Sequence, residues 1–150
     1  MSVSKAGKFK LQSVLNYRQT LADQAQQQLS NSLQRKSQLE EQLLQQQDGF
    51  QRLDRQLKEK QQEGLSVAEI HLFESQILHR RQQILRLQEQ LAPLERQILT
   101  ERQQLMSAAR DKQVMEKLKD KQQAEYRQEL SRKEREMLDE ISLRNKGELP

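Results

Sequence analysis

Six apolar residues recur at every seventh position in the second half of the chain: Ile70, Ile77, Ile84, Leu91, Ile98 and Leu105. Phe73, Leu87, Leu94, Ala108 and Met115 keep a companion row, interrupted by Arg80 and Glu101. The first half has the same period in Leu15, Ala22, Leu29, Lys36, Leu43, Phe50 and Leu57. Beside it run Leu11, Arg18, Ala25, Ser32, Leu39, Gln46, Leu53 and Lys60. A seven-residue apolar repeat with polar residues between is the pattern of helices that meet along a narrow seam. No stretch alternates with the period of two that a half-buried strand requires. The chain is expected to be all-α.

Near the middle, Gln62-Glu63-Gly64-Leu65-Ser66 interrupts the repeat. Gly64 can take a positive φ at low cost and so end a helix. Ser66-Val67-Ala68-Glu69 is a capping box that starts the next one, Ser66 accepting from backbone N–H and Glu69 reaching back. A stop followed at once by a start folds the chain back on itself. The expected architecture is a long antiparallel two-helix coiled-coil hairpin, a single domain over residues 1–150. Helix one covers about residues 11–62, the turn 63–65 and helix two about 66–144. The fold-back sets Leu57 near Ile70 or Phe73, Phe50 near Ile77, Leu43 near Ile84 or Leu87, and Leu11 near Met115. The layers at Ser32, Lys36 and Gln46 are polar on one side, which weakens them and can fix register. Pro93 predicts a kink in helix two but not a break, because Leu91, Leu94 and Ile98 carry the repeat through it.

The two helices differ in length. At 1.5 Å per residue helix one spans about 78 Å and helix two about 117 Å. Residues after 118 are therefore expected to form an unpaired C-terminal helical extension. From Arg110 to Arg135 it holds nine Lys/Arg and six Asp/Glu, mixed in sign as on a solvated helix. Leu118, Tyr126, Leu130, Met137, Leu138 and Ile141 give it an apolar edge, a reason to expect an external partner. Residues 1–10, with Lys5, Lys8 and Lys10, form a polar basic lead loosened by Gly7. Asn145 to Pro150 is expected to be a helix stop and a loose tail.

Composition narrows the function. Hydrophobic residues are 33%, aromatics 3%, and glutamine fills 28 positions, so no broad core can form. Low hydrophobicity also marks disorder, but the regular leucine spacing argues against it. A net charge of +4 is no general polyanion signal. The interleaved acids, with Tyr126 the extension's single aromatic, speak against nucleic acid. With no cysteine, and with His71 and His79 eight apart and lacking a carboxylate cluster, no metal or cofactor is expected. No nucleophile or phosphate-loop motif occurs, and a two-helix rod offers no cavity for catalysis, so the chain is not expected to be an enzyme. Without an apolar leader or membrane-spanning run, a soluble cytosolic protein is expected.

The opening Phe9-Lys10-Leu11-Gln12-Ser13-Val14-Leu15-Asn16-Tyr17-Arg18, followed by Asp23-Gln24-Ala25-Gln26, resembles the N-terminus of the FliJ family of flagellar export proteins. The run Arg110-Asp111-Lys112-Gln113-Val114-Met115-Glu116-Lys117-Leu118-Lys119 is similar too. So are Tyr126, Glu129, Arg132, Glu134 and Leu138-Asp139-Glu140. The resemblance covers nearly the whole chain. It implies a type III export component resembling the central stalk of rotary ATPases, located at the cytoplasmic face of the inner membrane through its partners. Those would be the hexameric export ATPase (FliI-like), the cytoplasmic linker of the export gate protein (FlhA-like) and export chaperones. Carried onto this sequence, Lys10, Arg18, Arg110, Lys112, Lys117, Lys119, Lys121 and Arg127 are expected to bind the ATPase ring. Leu43, Phe50, Phe73 and Ile77 are expected to bind the gate. The alternatives are the equivalent stalk of a virulence-type secretion system and a generic self-associating coiled coil.

Overall fold

The computed structural model describes residues 9–148, with side chains through Gly147. Lys5, Gly7 and Lys8 of the basic lead, and Leu149 and Pro150 of the expected tail, lie outside the described residues. Two helices make up the fold, α1 (Gln12–Glu63) and α2 (Val67–Glu148). Among the described residues there is no strand. The chain is an all-α helical hairpin.

The reversal is built as its residue types require. Gly64 has φ of 96°, the single positive φ among the described residues, a region that a Cβ makes costly. Ser66 Oγ accepts from the Glu69 N–H at 3.2 Å and Ser66 O from the Ile70 N–H at 3.1 Å. This is the N-cap that satisfies the first unpaired donors of α2. Helix α2 continues through Pro93 without a break. It also runs past the stop expected at Asn145, through Gly147 to Glu148. A glycine without positive φ costs a helix only about 1 kcal/mol, too little to end one by itself.

Among the described residues, packing divides into two compact units, residues 25–105 and residues 9–24 with 106–148. In the first, Leu39, Leu87, Leu91, Leu94 and Ile98 form one buried cluster, with Leu29 and Leu43 packed against it. Cross-helix contacts there run antiparallel, from Lys60 over Phe73, through Gln46 with Arg80, to Ser32 with Glu101. The seam's polar interruptions meet one another. Arg80 donates to Gln46 Oε1 at 2.9 Å, and its guanidinium lies where a Cβ on Gly49 would come within 2.7 Å. Lys36 instead pairs at 3.9 Å with Glu95, one position outside the α2 rows. Glycine at 49 makes room for an arginine in a leucine row.

Candidate functional site

The unit that holds both chain ends carries the expected ring-binding cations. Phe9, Leu15 and Ala22 are its buried apolar residues. Phe9 precedes α1 and turns the chain into it, its carbonyl accepting from the Gln12 N–H at 3.1 Å. With Lys10 and Leu11 it lines an open groove against Leu118, Lys121, Gln122 and Glu125. This corrects the expected start of the extension. The segment ahead of α1 accompanies α2 as far as Glu125, beyond residue 118, because an aromatic in the basic lead has apolar surface to bury. Leu11 and Leu118 both line this groove.

Lys10, Arg110, Lys117, Lys121 and Arg127 are exposed, whereas Arg18, Lys112 and Lys119 are half-buried. Arg18 pairs with Asp111 at 3.4 Å and Lys112 with Glu116 at 3.7 Å. Their side chains are 32–50% exposed, so each pair adds at most about 1 kcal/mol. Lys10, Arg110, Lys117, Lys119, Lys121 and Arg127 hold no carboxylate among the described residues.

From Arg132 to Gly147 every described residue is exposed. The seam explains where pairing stops. Its rows continue as Lys133 and Glu140, and as Glu129 and Glu136, so the stripe is charged from 129 to 140 before Leu143. Apolar residues reappear one position later, at Leu130, Met137 and Ile141, rotated about 100° around the helix. Lys133–Glu129 and Arg132–Glu136, both at 3.9 Å, brace the helix surface. Beyond Tyr126, which still occupies a seam position, Leu130, Met137 and Ile141 thus lie off the hairpin seam.

In the unit 25–105, Phe73 is buried, and Leu43, Phe50 and Ile77 are half-buried. Phe50 lies under the Arg81 guanidinium at 5.4 Å and Phe73 under Lys60 at 5.3 Å, measured to the ring centroids. The four expected gate-binding residues are thus partly or wholly engaged within the hairpin. Exposed apolar surface beside them in the chain comes from Leu44, Leu72 and Leu78. His71 and His79 are exposed, and no group of three metal-binding side chains occurs among the described residues.

Ser32 and Glu101, each a break in its own helix's repeat, are partners across the seam. Glu101 is buried, and its Oε1 accepts from Ser32 Oγ at 3.0 Å and Gln97 Nε2 at 2.9 Å. Its Oε2 is buried with no partner. A buried polar atom left unpaired costs about 1–3 kcal/mol. The double substitution Ser32→Ala/Glu101→Leu removes both halves of the polar layer. It is expected to raise stability by about 1–3 kcal/mol, read as a higher urea midpoint at unchanged slope. A lower midpoint would show that this layer holds the hairpin together rather than weakening it.

The family model for the flagellar FliJ protein matches residues 7–147. The chain belongs to the FliJ family. The match spans both helices, the turn and most of the exposed extension. No curated protein and no solved structure matches the chain. Membership makes this FliJ-family chain a component of the flagellar type III export apparatus. No helix among its described residues is long and apolar enough to cross a membrane.

Proposed function

We propose that this chain acts as the stalk of the export ATPase, held in the hexamer by the unit that contains both chain ends. The observation that carries this reading is the charged extension of α2, exposed from Arg132 to Gly147, next to the cations at Lys10, Arg18, Arg110, Lys112, Lys117, Lys119, Lys121 and Arg127. Acidic loops of the ring are the complementary partner for such a surface. One asymmetric hairpin inside a six-fold ring contacts the subunits unequally and biases their conformations, which couples hydrolysis to transport. The protein works at the cytoplasmic face of the inner membrane, through its partners.

Capture by the export ATPase tests the ring-binding role. The full chain is expected to be retained and a chain ending near residue 109 to be lost. Retention of the shortened chain would sink the reading.

The second role in this proposal is a link to the cytoplasmic linker of the export gate protein through Leu43, Phe50, Phe73 and Ile77, with export chaperones escorted on the same molecule. Phe73→Ala is expected to reduce gate capture while far-UV circular dichroism stays unchanged, and capture at the parental level would discard this face. Chaperones are expected to co-purify with the full chain, and their absence from the eluate would remove the escort role.

A further inference from the structure

Helix α2 carries a second apolar row that the hairpin does not bury. Leu78, Leu85, Ala92 and Leu99 are spaced seven apart, each one position after the seam residues Ile77, Ile84, Leu91 and Ile98. Leu78 and Leu85 are 57% exposed and Leu99 61%, whereas Ile98 is 4% exposed. A solitary surface leucine needs no explanation. A row of leucines at constant seven-residue spacing is the contact pattern of one further helix. Ala92, also exposed, sits midway along it.

Charges beside the row indicate what that helix is. Glu89 and Arg96 flank Ala92, three residues before it and four after, on the same side of the row. Both are exposed and neither has an ion-pair partner among the described residues. We propose that this row is a dimerisation surface, on which a second copy of the chain packs α2 against α2 in antiparallel about a two-fold axis at Ala92. Leu85 then meets Leu99 of the second copy, and Leu99 meets its Leu85. Ala92 faces Ala92, where a small side chain lets the backbones approach. Glu89 pairs with Arg96 of the second copy and the reverse, giving two symmetric ion pairs. A parallel arrangement would instead set the Glu89/Arg96 flank against the opposite flank of the second copy, where Gln88 and Glu95 stand, and would leave Glu89 without Arg96. On the other flank Gln88 faces Glu95 without repulsion. The like-charged approach, Arg81 with Arg102, falls further out, where Arg81 is engaged over Phe50.

Sedimentation of the full chain across micromolar concentrations tests the proposal. The expected result is a reversible rise in mass toward twice 17.8 kDa. Leu85→Gln/Leu99→Gln places four polar side chains in each interface and is expected to weaken dimerisation by about 100-fold or more, with helicity retained. Glu89→Arg or Arg96→Glu alone is expected to weaken it about fivefold to tenfold, and the two together to restore it, because the exchanged charges remain complementary. A chain monomeric throughout overturns the proposal. So does a dimer that Leu85→Gln/Leu99→Gln leaves intact, or a double charge exchange that fails to recover. A monomer whose capture by the export ATPase is lost with Leu85→Gln/Leu99→Gln would assign the row to that partner instead, and overturns it too.

Discussion

A chain in which Lys117, Lys119, Lys121 and Arg127 are all changed to Glu is expected to lose every trace of export ATPase stimulation. Each reversal removes two units of charge, taking the net charge from +4 to −4. Lys117, Lys121 and Arg127 are exposed and Lys119 is half-buried. None of the four is committed to a carboxylate among the described residues, and Glu116 is already engaged by Lys112 at 3.7 Å. The helix itself therefore loses little. New like-charged neighbours cost a few tenths of a kcal/mol, roughly 0.2–0.5 per pair. Facing acidic loops, the same reversals turn attraction into repulsion worth several kcal/mol, and every 1.4 kcal/mol is about tenfold in affinity. Turnover with and without the variant, beside a circular dichroism control, separates these effects. Stimulation at the parental level with normal helicity would remove this face from the ring. Parental stimulation is also expected to fall as salt rises, since exposed charges are screened beyond about 8 Å at physiological ionic strength.

Ile98→Ala is expected to cost about 2–4 kcal/mol of stability, the largest loss among single apolar truncations in this chain. Ile98 is the most buried of the described residues at 4% exposure and lies within the cluster of Leu39, Leu87, Leu91 and Leu94. A two-helix seam has no further layer to collapse into the space left behind, so both the lost transfer energy and the cavity count. Its neighbour Leu99, 61% exposed, supplies the contrast. In dilute solution Leu99→Ala is expected to change stability by less than about 0.5 kcal/mol. Urea titrations of the two variants decide the matter. Equal losses would mean that the repeat does not set which face is buried.

Much of the fold was legible because heptads and turn residues act locally. Gly64 and Ser66 occupy the conformations their chemistry requires, and Ile77, Ile84, Leu91 and Ile98 lie on the buried side. Three features were not legible, each for its own reason. Phe9 stands in a polar basic stretch, and only the apolar surface of α2 beside it shows that its ring is buried. Gly147 belongs to a residue type that ends helices with a positive φ and otherwise merely weakens them. The pairing of Ser32 with Glu101, and of Gln46 with Arg80, depends on the register between helices, which a row of similar leucines leaves nearly free. The clue was that interruptions occur in both halves. As for binding residues, exposed cations can be read from a sequence, whereas the burial of Phe73 follows from packing around it.

The sharp reversal at Gly64 has a consequence for the order in which the molecule assembles. Lys60 and Phe73 are 13 residues apart, while Arg18 and Asp111 are separated by 93. Closing a loop becomes harder with length by only about 0.6 kcal/mol per doubling, but the short loop still closes first. The two helices thus zip outward from the glycine, and the pairs nearest the termini form last and fray first. Amide protons around Leu15 should exchange with deuterium sooner than those around Leu39. The surface expected to grip the ring is then the part most easily reshaped by what it grips.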